Sequence, residues 1–436
     1  MTPAARLSAA IEALAAIDTQ RIPAANALKE WGRAHRFAGS SDRAAIAGLV
    51  YDVLRRRASS AFMMGDESPR ARLLGMLRLE RGLDVEAIAR LCDGGRFAPP
   101  PLTETERAAL AERSPDAAPP PVAGDYPDWL DEELASAFGE ARATEAAALA
   151  RRAPLDLRVN TIKADRQAVL GALAHLGARP TPWSPWGIRI ALDADARSPG
   201  IQAEPEFIKG AVEVQDEGSQ LVALMSGASP GETVIDLCAG GGGKTLALAA
   251  MMGNRGRLIA TDDDKRRLAP IHDRLIRAGA RLPEVFTPKG AADPLASFGA
   301  SADMVLVDAP CTGTGTWRRN PDAKWRMRPG ALDERLKDQV EVLDRASLLV
   351  RPGGRLVYVT CSVLPSENGA QVRAFRDRHA GFSLLAPEAV AAGLGPRAAA
   401  FRQAAALTDE GILMTPLRTG TDGFFIAVLR RDQAAA

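Results

Sequence analysis

The chain has 436 residues, 46% apolar and 25% charged, which is more than one ordinary domain holds and typical of a globular protein; two or three domains are expected. A formal net charge of +1 excludes a generally basic, polyanion-coating protein, so a nucleic-acid partner has to be met by a local basic surface. Four cysteines without a CxxC pair, four histidines and no membrane-length apolar run exclude a disulfide framework, a structural zinc site and membrane insertion as expectations, and point to the reducing cytoplasm without metal.

Residues 1–95 read as an all-α domain. Leu7, Ile11, Leu14 and Ile17 form one helical stripe, and Ile46, Leu49, Val50, Val53 and Leu54 another. Residues 96–124 carry Pro99-Pro100-Pro101 and Pro119-Pro120-Pro121 around a segment long enough for one helix, which suits a semi-rigid connector. Residues 125–210 read as a small α/β module. It has a helix opening at Pro127-Asp128-Trp129, a strand from Leu155, a helix near Arg166–Leu176 and a second strand near Ile188–Ala191. From 211 to 432, short apolar strands at Thr233–Leu237, Arg257–Thr261, Val285–Thr287, Met304–Val307 and Leu356–Thr360 alternate with amphipathic helices. That pattern implies a Rossmann-like parallel sheet covered on both faces, closed by a hairpin at Gly411–Pro416 and Phe424–Leu429.

The first of these strands runs into Asp236-Leu237-Cys238-Ala239-Gly240-Gly241-Gly242-Gly243-Lys244-Thr245. Glycines here allow close approach of backbone to ligand, and the following helix offers free amides to a phosphate or a carboxylate. A Walker A loop would need glycine at Cys238, and a GxGxxG fingerprint would need it at Thr245 or Leu246, so both an ATPase and a dinucleotide are disfavoured. Asp262 ends the second strand, where a carboxylate accepts hydrogen bonds from ribose hydroxyls; an adenosyl ligand without pyrophosphate fits best.

Two further strand ends carry thiols: Asp308-Ala309-Pro310-Cys311-Thr312-Gly313 and Thr360-Cys361-Ser362. A thiol pair beside a nucleotide pocket points to covalent group transfer, whereas Cys238 and Cys92 read as small buried hydrophobes. Just beyond Cys311, Trp317-Arg318-Arg319-Asn320-Pro321-Asp322-Ala323-Lys324-Trp325-Arg326-Met327-Arg328 holds five cations and two indoles. Arg318, Arg319, Lys324 and Arg326 could grip phosphate and Trp325 stack a base, or the tryptophans could pack inward; both readings of Trp325 stand.

Taken together, the glycine loop, the Asp308–Gly315 segment with Asn320-Pro321-Asp322-Ala323-Lys324-Trp325-Arg326, and Thr360-Cys361-Ser362-Val363-Leu364-Pro365-Ser366-Glu367-Asn368 resemble the Sun family of RNA (cytosine-5) methyltransferases. Among its members the bacterial 16S ribosomal RNA enzymes are the most similar. The resemblance spans about residues 125–432, including Leu157-Arg158-Val159-Asn160 and Val214-Gln215-Asp216-Glu217. It implies S-adenosyl-L-methionine as cofactor and ribosomal RNA as partner. It further implies Cys361 as nucleophile on cytosine carbon 6, Cys311 as the thiol of product release, and Asp308 and Lys244 as their supports. Asp308 would contact the base from a dry pocket. The target cytosine would have to leave its stack. The N-terminal helices are similar to a NusB-type RNA-binding domain, and a monomer is expected. The chain departs from the family where Gly240 and Gly241 replace alanine and proline, and Asp293 is the one candidate for its acidic third motif. Transfer RNA as substrate, a catalytically weak RNA-binding assembly factor and an ATPase remain the alternatives.

Overall fold

A computed structural model of the chain describes residues 1–192, 199–288, 293 and 295–433; of the segment around Asp293, Lys289–Ala292 and Pro294 lie outside the described residues. It forms two compact units. One comprises Met1–Ala153 with Trp317–Arg328, the other Pro154–Ala191, Ser198–Thr316 and Pro329–Ala436.

The first unit is helical. Pro3–Gln20 begins at Thr2, whose hydroxyl accepts from the Ala5 amide, and it buries Leu7, Leu14 and Ile17. Ser40–Arg55 buries Ile46, Val50, Val53 and Leu54, so both expected stripes face one core. The stretch expected as a connector belongs to this core. Thr103 and Glu106 form a reciprocal capping box that starts helix Glu104–Glu112, and Leu102, Ala109 and Leu110 are buried with the stripe residues. Helices Asp131–Phe138 and Arg142–Ala150 also pack within this compact unit, which ends at Ala153. The physical reason that the proline-rich stretch packs here is the apolar content between the prolines, enough to seat a helix rather than leave it in water.

The second unit carries two sheets. Strands β1 (Leu155–Val159), β2 (Arg179–Pro180), β3 (Gly187–Ile190) and β4 (Val212–Val214) form an antiparallel sheet of order β2-β3-β1-β4. The large sheet contains β5 (Thr233–Asp236), β6 (Arg257–Thr261), β7 (Pro283–Phe286), β8 (Ala302–Asp308), β9 (Val350–Thr360), β10 (Phe382–Leu384), β11 (Ala406–Leu407), β12 (Ile412–Met414) and β13 (Phe424–Arg431). Its order is β11-β12-β13-β9-β8-β5-β6-β7, with β10 on β13. The five strands from β5 to β9 run parallel, and β13 joins β9 antiparallel; the expected hairpin is β12–β13. The sheet is therefore mixed, a parallel Rossmann-like half with an antiparallel edge. Central strands are buried end to end, as at Met304–Val307 and Leu356–Val359. Among the described residues no helix is long and apolar enough to cross a membrane.

Candidate active site

Strand register brings the site together. In β5–β6 Asp236 pairs with Ala260 and in β5–β8 with Leu306, so the chain two residues beyond Asp236 is level with Asp262 on one side and Asp308 on the other. In β8–β9 Asp308 pairs with Val359, which puts Pro310-Cys311 beside Cys361. Carboxyl ends of adjacent parallel strands are where open α/β sheets bind ligands.

The glycine loop is a cradle of backbone. The Gly240 amide donates to Asp262 Oδ2 at 2.9 Å, the Ala239 amide to the Thr261 carbonyl at 2.9 Å, and the Gly242 amide to the Ala239 carbonyl at 2.9 Å. Gly242 has φ +82°, and a Cβ there would lie 2.5 Å from Ile271 Cγ1. Gly240 is also left-handed at φ +50°, so glycine here replaces a stiffer residue with one suited to the turn that forms. Helix Gly243–Met251 follows, and its first amides have no acceptor within the helix. Gly242→Ala is expected to weaken cofactor binding by about tenfold or more through backbone strain and the Ile271 clash. Calorimetric titration with S-adenosylmethionine, the cofactor that the resemblance implies, measures it, and an unchanged affinity would mean that the loop shape is unimportant.

Lys244 is buried and donates from Nζ to Asp308 Oδ2 at 2.7 Å, with the Phe424 ring 5.2 Å from its ammonium. Asp308 is one-third exposed and salt-bridged, not enclosed in the dry pocket expected of it. Asp262 is buried; its Oδ1 accepts the Asp264 amide at 2.9 Å, and Arg267 approaches Oδ2 at 3.7 Å. Asp236 is fully buried, accepts the Thr245 hydroxyl at 2.7 Å, and is pushed up to about 7 by burial, with Asp308 adding to the rise. Burial first, then the Asp262, Asp308 and Asp236 carboxylates, push the Cys238 thiol well up, so it remains protonated and inert. Three carboxylates thus converge on the loop. Lys244 beside Asp308 and Arg267 beside Asp262 offset part of that charge, and what remains suits a cationic ligand such as a sulfonium.

Cys311 Sγ lies 3.3 Å from Cys361 Sγ, a hydrogen-bonding distance; both thiols are free and partly exposed. The Cys311 thiol is pushed well up, first by its hydrogen bond with Cys361, then by burial and by the Cys361 and Glu367 charges.

The family model for the 16S rRNA methyltransferases RsmB/F matches residues 223–430, and that for the RsmF/B-like ferredoxin-like domain matches residues 126–196. The chain is 32% identical over 318 residues to a probable ribosomal RNA small subunit methyltransferase B of Synechocystis, covering 70% of this chain and 67% of that protein. The chain belongs to the RsmB/F methyltransferase family. The ribosomal RNA small subunit methyltransferase B of Sodalis glossinidius is 34% identical over 312 residues, covering 71% of this chain and 66% of that one. These alignments span about two thirds of the relatives' own lengths. The crystal structure of PH0851 superposes with a TM-score of 0.71 at 26% identity and covers 99% of both chains.

An RsmB/F methyltransferase uses S-adenosylmethionine, and the residues present fit it. The loop Cys238–Gly243 supplies backbone donors, Asp262 a carboxylate at the end of β6 for a ribose diol, and the surrounding carboxylates a field for the cationic donor. One residue of the upstream motif braces this loop, and its neighbours brace the small sheet and the helix ends beside it. Arg158 is fully buried, is pushed down to about 10 by burial, and donates to the Gly243 carbonyl at 2.8 Å and to Gln215 Oε1. Asn160 donates to the Gly210 and Ala278 carbonyls, and Asp156 binds Arg189 through both oxygens at 2.7 Å. Asp293, the candidate for the acidic third motif, is held by Arg345 at 2.6 Å, which also reaches Asp263 at 3.0 Å.

The basic segment after Cys311 is the main correction. Trp317–Arg328 is built into the helical unit. Trp317 and Lys324 are fully buried and Arg318 nearly so. Lys324 Nζ donates to the Asp125 carbonyl at 2.6 Å and the Arg55 carbonyl at 3.2 Å, and Trp325 Nε1 donates to the Leu54 carbonyl at 2.6 Å. Arg326 is exposed and ion-paired with Asp322 at 3.2 Å, and Arg319 is half-buried. Lys324 is therefore buried as an anchor, against the expected surface position, and Trp325 takes the inward of its two readings. Cationic composition alone suggested otherwise, because a buried lysine needs backbone carbonyl partners that no local pattern encodes.

Proposed function

We propose that the chain methylates carbon 5 of a cytosine in 16S ribosomal RNA through a transient bond between Cys361 and carbon 6 of the base. The observation that carries this is the 3.3 Å thiol pair at the ends of β8 and β9, one strand from the glycine loop. S-adenosylmethionine supplies an electrophilic methyl group. Carbon 5 of cytosine is a weak nucleophile, and addition of the Cys361 thiolate at carbon 6 gives carbon 5 the electron density to take that methyl. Lys244 and Asp308 flank the donor side, with the ammonium holding the carboxylate at 2.7 Å toward the base.

The pair also supports an order of events. While both thiols are free, the hydrogen bond with Cys361 is the largest factor keeping Cys311 protonated. Once Cys361 sulfur is bonded to carbon, that hydrogen bond and its charge are gone, and Cys311 ionises more readily. Release requires a base at that moment: the carbon 5 proton leaves to the base, the electron pair forms the carbon 5–carbon 6 double bond, and the Cys361 thiolate departs.

The test is in vitro methylation of 16S ribosomal RNA with methyl-labelled S-adenosylmethionine, followed by digestion to nucleosides. Label in 5-methylcytidine is expected; label in another nucleoside, or in transfer RNA alone, would overturn the proposal.

A further inference from the structure

The two thiol-bearing loops meet on a single buried carboxylate. Glu367 is fully buried, and Oε1 accepts the Thr312 amide at 2.8 Å and Gln339 Nε2 at 3.0 Å. Oε2 accepts the hydroxyls of Thr312 and Ser362. Thr312 is the neighbour of Cys311 and Ser362 the neighbour of Cys361, so one side chain ties both loops. Its surroundings reinforce the tie. Gln339 also donates to the Pro310 carbonyl at 2.9 Å, the Tyr358 hydroxyl to the Glu367 carbonyl at 2.6 Å, and the Gly315 amide to the Cys361 carbonyl at 2.9 Å. All four of these donors are neutral, and among the described residues no cation pairs with the carboxylate. That arrangement is costly to desolvate, tolerates no missing donor and fixes geometry closely.

We propose that Glu367 is a positioning residue that sets the spacing of the Cys311 and Cys361 sulfurs. It touches neither substrate nor cofactor and acts through the backbone and hydroxyls next to each thiol. Its importance for methyl transfer rests on the covalent reading above, but the spacing itself does not. A carboxylate is needed because four donors converge on it. An amide of the same shape keeps one acceptor but sets an NH2 against the Thr312 and Ser362 hydroxyls, which would have to turn round to accept it and give up their present bonds, so the tie between the two loops weakens.

The test uses the full chain with Glu367→Gln and Glu367→Asp, read in two ways. Diamide oxidises a close thiol pair: an S–S bond forms between Cys311 and Cys361 while the reagent's N=N bond takes two electrons and both protons to become a hydrazine. Closure needs the sulfurs to move only from 3.3 Å to about 2.05 Å. The expected result is fast closure in the wild type, slowed by at least about tenfold in Glu367→Gln, with partial recovery in Glu367→Asp, which keeps the charge. Methyl transfer should lose kcat in the same order with KM for S-adenosylmethionine unchanged. If Glu367→Gln does not fold, Thr312→Val removes a single donor and should slow closure less but measurably. Closure within about twofold of wild type in a folded Glu367→Gln, or no change in Thr312→Val when that variant stands in for it, overturns the inference. Slowed closure in an enzyme whose thiols never bond to RNA would leave this inference standing and sink the covalent reading instead.

Discussion

Cys361→Ala is expected to lower methyl transfer by about four orders of magnitude or more and to yield no covalent protein–RNA species, because without the thiolate carbon 5 stays inert. Cys311→Ala is expected to do the opposite on a denaturing gel. Addition and methylation proceed, release stalls, and a protein–RNA adduct accumulates. The 3.3 Å spacing sharpens the contrast, since each sulfur is the other's neighbour and no other cysteine is poised to substitute: Cys238 is protonated among carboxylates, and Cys92 lies in the helical core. Equal trapping by both variants would reverse or abolish the assignment of roles.

The second large effect concerns stability. Lys324 is fully buried and is pushed down to about 7 from its usual 10.5 by burial, with Asp125 opposing the shift. In the unfolded chain the amine keeps its proton up to about 10.5, so between about 7 and about 10.5 the unfolded state binds the proton that the folded state has released. Unfolding free energy of the helical unit should therefore rise with pH across that window, by on the order of a few kcal/mol, and be flat below it. Arg55 and Arg56 stay charged throughout, while Asp125, pushed up by burial, contributes a falling slope only on the acid side. Lys324→Met should remove the slope. It should also cost about 1–3 kcal/mol at pH 9, because the Arg55 and Asp125 carbonyls lose their donor. Urea unfolding followed by far-ultraviolet circular dichroism at several pH values measures both effects, and an unchanged slope in the variant would assign the titration elsewhere.

Much of the large sheet is legible in the chain because strand cores such as Met304–Val307 are continuous apolar runs and strand ends carry glycine, aspartate or cysteine. Arg257–Thr261 is a strand with the expected bounds. The thiols, Lys244, Asp308 and Asp262 gather as the motif order suggests, since adjacency of parallel strands brings their carboxyl ends together. Two classes of residue escape such a reading. Asp236 and Glu367 stand inside the motif segments and Gln339 outside them, but the roles of all three come from hydrogen bonds that close only in three dimensions. Lys324 misleads for the same reason, and Trp325 stays open between two readings: charge and aromaticity look the same in a surface patch and in an anchored strap. The proline-rich segment misleads through composition, as its capping box and Leu110 outweigh the flanking prolines.

The chain leaves the catalytic half at Thr316, enters the helical half at Trp317 and comes back at Pro329. No single cut can separate the halves cleanly. A fragment beginning at Pro154 would retain a dangling insert whose indoles and lysine have lost their burial site, and a fragment ending at Ala153 would have a vacant slot where that insert belongs. Loss of activity on truncation would then report a broken strap rather than a missing recognition module, so deletion mapping of substrate binding in this protein has to keep both halves intact and alter surfaces instead.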